Sequence, residues 1–388
     1  MFHELKVVEL ASVLAGPSVG QFFAELGAEV IKVENVHTGG DVTRTWKVKN
    51  EDTDDRSSYF CSVNWGKKSI AIDLNRTEGK TIVYKLVEKS DIVIASYKSG
   101  DAEKLGVDYK TLSSLNPHLI YGQISGFGSS NPRVGYDAVI QAEGGFMFLN
   151  GEPDGPSLKM PVALMDILAA HHLKEGILLA LLRKNRTGKG DFLEVSLLQA
   201  AVSSLANQAA NWLVAGVTPQ KQGSTHPNIA PYGDIFRTLE GHEILLAIGS
   251  DRQFTSLCKI LNLADVNERY RTNVLRVKNR PALNQLLGET IAFLPLNTLV
   301  SELQAANIPY GIIKDMQEVF ETPEVQGLLL QSDDRIGVRT YVGTPFRDGA
   351  SHFLPPPHLG EHSQEILIQS LAMPAQEIKS LVKAGIII

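Results

Sequence analysis

Cysteine is nearly absent from this chain. The two in 388 residues, Cys61 and Cys258, stand apart, and neither belongs to a C-x-x-C pair. A disulfide framework or a cysteine zinc site is therefore not implied, and a reducing compartment fits. Positive charge is not in excess: the formal net charge is -6, which removes the usual basis for a nucleic-acid surface. Long apolar runs are also missing. Ile177 to Leu182 is short and gives way to 183-RKNRTGKGD-191, so no membrane contact is expected. The opening MFHELKVVEL reads as neither a signal peptide nor a transit peptide, and a cytoplasmic location is the expectation. The G-x-G-x-x-G fingerprint does not follow the first strand-like stretch, where A-G-P-S-V-G stands instead. That argues against a nicotinamide dinucleotide. No internal repeat is evident.

What is present is ordinary for a globular protein, with 43% hydrophobic and 21% charged residues. The length predicts two domains. Residues 5-LKVVEL-10 read as a buried strand. A helix follows from Pro17, at the first helical position, to about Leu26, where Gly27 stops it. Residues 28–33 read as a second strand. Strands at 69–74, 91–96 and 119–128 and a helix at 78–90 extend the pattern into an α/β domain of the parallel, doubly wound kind. Residues 191–198 begin as a strand before a long helix over 197–216. The turn-rich stretch 217–234 reads as the crossing to a second domain. There 235–249 forms a hairpin turning at Glu240-Gly241. Helical patterns follow at 251–262, 280–292 and 297–306, then a strand at 309–315 and a Pro-rich arm, 354-LPPPHLGEHSQEIL-367, that ends in a helix.

In the largely apolar stretch 160-MPVALMDILAAHHLKEGILLALL-182 a carboxylate, Asp166, stands between Met165 and Ile167. A charge in apolar surroundings is costly unless paired or hydrogen-bonded. Asp166 has two readings on this pattern. It is the N-cap of a helix over 167–183, where Leu168, Leu178 and Leu182 recur near helical spacing and Arg183-Lys184 suits the last turn. Alternatively it is a nucleophile, kept ionised by the same helix terminus, that attacks an activated acyl carbon.

An ordered set of segments bears on that choice. ELASVLAGPSVGQFFAELGAEVIKVEN (9–35), GGDVTR (39–44), GYDAVIQAEGG (135–145), ALMDILAA (163–170), TGKGDFLEVSLLQA (187–200), HPNIAPY (226–232), IGSDRQF (248–254), TPFR (344–347) and PHLGEHSQEIL (357–367) together resemble the class III CoA-transferases. This group includes carnitine, bile-acid and formyl-CoA transferases. The resemblance spans essentially the whole chain. It implies an α/β fold with a Rossmann-like large domain built from both chain ends and a smaller α+β domain. Residues 1–216 form the first part of the large domain, 217–330 the small domain with its linkers, and 331–388 the return. It further implies an interlocked homodimer. CoA moves from an acyl-CoA donor to a small carboxylic acid through a mixed anhydride and an aspartyl-CoA thioester on Asp166. Coenzyme A and its thioesters are then substrates rather than a permanently bound cofactor, and no metal is needed. Backbone N–H groups near Asp166 or at Gly249 would stabilise the oxyanions.

The resemblance also assigns CoA contacts. They are Leu14 and Ala15 in the first loop, Asn35 after the second strand, Ile72, Asp73, Leu74 and Asn75 beside the adenosine end, and Ser96, Tyr97, Lys98 and Lys104 after the next strand. Val134, Gly135, Tyr136 and Asp137 fall near the pantetheine and thioester. Tyr97 offers a flat ring for adenine, and Lys98 and Lys104 offer charge for phosphates. Where members of the group carry N-F-R-P-G, this chain has S-Y-K-S-G (96–100). Asn35 and Asn75 stand where an Arg and a Lys are common, so phosphate contacts fall to Lys98, Lys104, Arg44 or Arg133. Leu14 in place of a glutamine, and Gly249 in place of a run of glycines, argue against formate or oxalate as substrate.

Two other functions share these features. An α-methylacyl-CoA racemase of the same fold uses a His and an Asp as paired bases; here Tyr136 occupies the place of that His. A CoA-binding protein without catalysis would not need Asp166. The tandem His171-His172 reads as packing or helix-face histidine. The cluster Glu51-Asp52-Asp54-Asp55 reads as a solvated loop, and Glu361-His362 as structural. His226 either faces the site or fixes the turn before Pro227.

Overall fold

A computed structural model describes residues 1–343 and 353–388; the TPFR segment (344–347) lies outside the described residues. The chain gathers into two compact units. One comprises Met1–Gly145, Met160–Ala210 and Gly327–Ile388, the other Phe146–Lys159 and Asn211–Gln326.

The first unit is built on a six-stranded parallel sheet: β1 (Lys6–Leu10), β2 (Glu29–Asn35), β3 (Lys67–Ile72), β4 (Ile92–Ala95), β5 (Ile120–Ser125) and β6 (Asp191–Ser196). The spatial order is β3-β2-β1-β4-β5-β6, so the winding reverses between β1 and β4. Val7 pairs with Val30 on one side and Ile92 on the other. These strands are near-continuous apolar runs because helices cover both faces. On one face, Val8, Ile31, Ile70 and Val93 pack with Ile82 and Leu86 of α2 (Thr77–Val87), Leu112 of α3 (Tyr109–Leu115), and Leu367, Leu381 and Ile386 of the C-terminal segment. Ile387 bridges Ile72, and the Asp73 amide donates to the Ile386 carbonyl at 2.9 Å. The returning chain end thus covers the free edge of β3.

Helix α1 (Ala15–Glu25) lies between the β1 and β2 strands in sequence, and all its residues are buried. It begins two residues before Pro17 rather than at it. Helices α4 (Asp137–Glu143), α5 (Leu164–Thr187) and α6 (Leu197–Ser203) follow. A Cβ on Gly122 of β5 would lie 3.0 Å from Leu173 and 3.1 Å from Ile177. The missing side chain lets α5 settle onto the sheet. The helix expected over 197–216 is broken: α6 stops at Ser203, and a second helix, Ala206–Leu213, starts after a left-handed Ala206 (φ 47). Both Ser203 and Ser204 donate side-chain hydrogen bonds back to the Ala200 carbonyl at 3.1 and 2.8 Å, a competition that bends and ends helices.

The second unit holds a three-stranded antiparallel sheet of Tyr232–Arg237, Glu243–Ala247 and Tyr310–Ile312. Its hairpin turns at Glu240-Gly241, where Gly241 takes φ 87. Helices Asp251–Ile260, Arg280–Ile291 and Leu296–Ala305 pack Phe254, Leu283 and Leu299 onto Phe236, Ile244 and Leu246. Two short helices, Ala264–Arg269 and Asn273–Lys278, occupy a stretch that carries no clear sequence pattern.

Candidate active site

A cleft of about 240 Å³ opens at the carboxyl ends of β1, β4, β5 and β6. Ser12 and Val13 after β1 and Ser96 to Ser99 after β4 flank the point where the winding reverses, the usual ligand position in open parallel sheets. The Ser12 amide donates to Ser96 Oγ at 3.2 Å, tying the two loops together. Gly126, Gly128 and Arg133 to Tyr136 continue the wall, and Asp166 also lines the cleft. Asp166 is the one carboxylate among the described residues that line this cleft.

Asp166 sits at the N-terminal end of the buried stripe of α5, which continues through Ala169, Ala170, Leu173, Ile177 and Ala180. The expected leucines face elsewhere: Leu182 is 60% exposed. The N-cap is Ala163, so Asp166 stands inside the first turn rather than at the cap. Asp137 takes the capping role from a distance, its Oδ1 accepting the Met165 N–H at 2.8 Å. Asp166 itself accepts no hydrogen bond among the described residues. Burial, and then the charge of Asp137, push its carboxyl up to about 7. The expectation of a carboxylate held firmly ionised by its helix terminus is therefore corrected: desolvation without hydrogen bonds outweighs the dipole. Near neutrality the group is poised between acid and carboxylate.

The loop after β1 is shaped by a buried charge network. Lys32 on β2 contacts Glu9 Oε1 at 3.0 Å and Asp41 Oδ2 at 2.9 Å, and Lys67 on β3 contacts Glu9 Oε2 at 2.8 Å. Burial would raise Asp41, but Lys32 and the Thr43 groups hold it below the usual carboxylate range. Asp41 in turn accepts the amide of Val13 at 3.2 Å. Val13 takes φ 73, a left-handed conformation that is unfavourable for a β-branched residue and persists only where the surroundings enforce it. Arg44 is bidentate with Glu34 (2.9 and 2.7 Å) and paired with Asp55. Tyr59, packed edge-on against Trp46 at 5.2 Å, is pushed up to about 12 by burial and by Asp166, Asp137 and Asp41. The sequence reading did not single out Tyr59, Glu9 or Lys32. The signal available was Lys32 and Glu34 alternating with Val and Ile in an otherwise buried strand.

Of the assigned contacts, Ala15, Ser96, Tyr97, Lys98, Val134, Gly135 and Tyr136 line the cleft together with Asp166. Burial raises the Tyr97 hydroxyl to about 12. Its ring packs against the sheet core. Leu14 precedes α1 without lining the cleft. Asn35 and Asn75 lie at the carboxyl ends of β2 and β3, outside it. Ile72 is fully buried, Leu74 leans on the core, and Asp73 accepts from His37 at 2.9 Å. Lys104 pairs with Asp101 at 2.9 Å. Arg44 is buried and Arg133 is paired with Glu143. Lys98 makes no ion pair or side-chain hydrogen bond among the described residues.

The remaining candidates make contacts within the fold. Glu51 accepts from the Ser58 and Val48 amides at 2.6 and 2.9 Å. Asp54 binds Arg56 and Arg335, and Asp55 binds Arg44, His358 and the Leu359 amide. Asp52, Asp54 and Asp55 are exposed, as expected of a solvated loop, and Asp54 and Asp55 in addition anchor the C-terminal arm. Asp54, Asp55 and His358 bring ligand atoms within 4.8 Å of one another, but arginines already occupy the carboxylates. The Asn228 amide donates to His226 Nδ1 at 3.1 Å, fixing the turn before cis-Pro231. The Ser69 amide donates to His362 Nδ1 at 3.3 Å. His172 meets Ser203 Oγ at 3.2 Å, and neither His171 nor His172 lines the cleft. The Gly249 amide donates to Gln253 Oε1 at 2.9 Å, so it is already spent in a helix cap and is not a free oxyanion donor.

Comparison with known proteins adds four findings. The family model described as "CoA-transferase family III" matches residues 2–363. The succinate–glutarate CoA-transferase of Agrobacterium fabrum is 39% identical over 384 residues, 94% of each chain. The human succinyl-CoA:glutarate CoA-transferase is 34% identical over 394 residues, covering 99% of this chain and 89% of that protein. The crystal structure of a CAIB/BAIF family protein from Brucella suis superimposes with a TM-score of 0.81 at 39% identity, covering 93% of this chain and 97% of that one.

Proposed function

The chain belongs to CoA-transferase family III, and on that premise we propose that it moves CoA between two carboxylic acids through covalent intermediates on Asp166. The observation that carries this reading is a buried carboxylate that accepts no hydrogen bond among the described residues and lines the cleft at the carboxyl ends of the strands. A poorly solvated carboxylate is a stronger nucleophile than one in water. One Asp166 oxygen attacks the thioester carbonyl of the donor; the C–O bond forms, the C–S bond breaks, and CoA leaves as thiolate. The thiolate then attacks the aspartyl carbon of the mixed anhydride, releasing the donor acid and leaving Asp166 as a CoA thioester. The acceptor carboxylate displaces CoA to form a second anhydride, and the thiolate attacks the acceptor acyl carbon. Acceptor acyl-CoA departs and Asp166 is again a carboxylate. Each step conserves acyl activation.

Tyr97, packed on the core with one face toward the cleft, is the adenine platform of this reading, and Lys98 is the unpaired cation for phosphate. The names of the similar proteins favour succinyl-CoA as donor and a dicarboxylic acid such as glutarate as acceptor. The chain also acts as a homodimer in this proposal. Helix Ala206–Leu213 buries none of its residues, and Trp212 and Leu213 on it are exposed, apolar side chains that a partner subunit would cover. Sedimentation at monomer mass would sink the dimer.

The direct test uses succinyl-CoA with a panel of mono- and dicarboxylic acids, followed by hydroxylamine trapping. Transfer to C4–C6 dicarboxylates and a hydroxamate at Asp166 are expected. Asp166→Ala should lose transfer by at least about 10³-fold while still binding CoA. Full activity in that variant ends the proposal.

A further inference from the structure

Asp137 was assigned by resemblance to the thioester end of the ligand, yet both its oxygens face protein donors. Oδ1 accepts the Met165 amide at 2.8 Å, and Oδ2 accepts Gln141 Nε2 at 2.7 Å. Gln141 lies one helical turn further along α4 and is 1% exposed. Its amide nitrogen also reaches the Met160 carbonyl at 3.3 Å, and its oxygen accepts the Met160 N–H at 2.8 Å. One face of α4 therefore pins the segment leading into α5 at both ends, at Met160 and at Met165, the residue before Asp166.

We infer that Asp137 is a positioning residue for Asp166: tied between the Met165 amide and Gln141, its carboxylate fixes the first turn of α5 and places a negative charge that disfavours the free Asp166 carboxylate against its acylated forms. The inference rests on the reading of Asp166 as nucleophile. The chemical argument follows from where charge goes. In attack, the negative charge leaves the Asp166 carboxylate and ends on the departing sulfur. The anhydride and thioester forms of Asp166 are neutral and do not feel the repulsion. A fixed like charge thus raises the resting state relative to the transition state. Burial and Asp137 together already hold Asp166 near neutrality. Tyr59 also feels this charge, and its hydroxyl stays protonated across the working range; Tyr97, Lys98, Arg133 and Tyr136 line the same cleft. Lys174, two turns along α5, points instead to Ser18 Oγ at 3.3 Å and over the Phe22 ring.

The test compares wild type, Asp137→Asn and Asp137→Glu in the full chain. Asn keeps an acceptor for the Met165 amide but removes the charge; Glu keeps the charge. Two quantities are read: the titration midpoint of Asp166 by carbon NMR of ¹³C-carboxyl aspartate, assigned with Asp166→Asn, and the acid limb of kcat/KM. In Asp137→Asn both should move to lower pH by roughly one unit, and kcat above pH 8 should fall roughly tenfold. Asp137→Glu should keep the midpoint near that of wild type even if the Asn variant folds poorly. An Asp166 midpoint that stays put in Asp137→Asn, or that shifts equally in Asp137→Glu, overturns the inference whatever the kinetics show. A midpoint that moves while the acid limb does not supports the hold on Asp166 and counts against Asp166 as the nucleophile.

Discussion

Asp166 is a buried carboxylate whose ionisation costs the folded chain stability. Its carboxyl is raised from 3.8 to about 7, so the folded state binds the proton more tightly than the unfolded state. The contribution to stability is full below about pH 4 and is lost as pH rises through 7. Asp166→Asn removes that loss. The expected outcome is a Tm a few degrees above wild type at pH 8, with a smaller gain at pH 5, read by thermal unfolding. An equal gain at both values would contradict the assigned cause. The same titration predicts that kcat/KM of the wild-type protein rises with pH up to about 7 and then levels, because the ionised form attacks. Asp41 acts at the same scale with the opposite sign. It is held ionised by Lys32 and fixes the strained Val13 amide. Asp41→Ala leaves Lys32 buried with one partner fewer, and a loss of about 3 kcal/mol is expected in denaturant unfolding.

At the scale of elements, the site depends on two loops that touch backbone to backbone. A Cβ on Gly135 would lie 2.6 Å from the Gly126 Cα. Neither chain can yield without moving the loop after β5 or the segment that leads into α4. Gly135→Ala should cost about 1–3 kcal/mol and raise the KM for acyl-CoA several-fold, because Tyr136 and Asp137 follow directly. An unchanged KM with normal stability would mean that the close approach does not shape the site. Helix α5 shows how an element was legible in part. The sequence signalled a helix near Asp166 and a cationic end, and the structure has Lys184 and Arg186 in its last turn. The pattern misidentified the buried face, because leucines are good helix formers on any face, whereas the alanines and Gly122 that permit close packing carry little signal of their own. The helix expected over 197–216 failed for a similar reason: serine hydroxyls bond locally, and periodicity does not register it.

At the scale of the whole molecule, the chain end completes the first sheet. Leu367, Ile378, Leu381 and Ile386 join the core beside α2, and Ile387 bridges the edge of β3. Removal of residues 372–388 should expose that edge and an apolar face together. The expected outcome is aggregation on expression, seen by size exclusion, and a soluble, fully active product would contradict the packing. The sequence by itself determined the α/β class, the parallel strands, the hairpin at Gly241 and the family, because each is written in local patterns or in an ordered set of motifs. It also placed Asp166 as the residue to watch. The surroundings of that residue, by contrast, come from the assembled fold. The cap belongs to Asp137, 29 positions earlier, the charge of Asp166 is set by burial beside Asp137, and of the four candidate phosphate cations Lys98 alone has no ion pair among the described residues and is not buried, while Arg44 is spent on Glu34. These outcomes depend on contacts between segments far apart in sequence, and desolvation and pairing are properties of the assembled interior rather than of any stretch of chain.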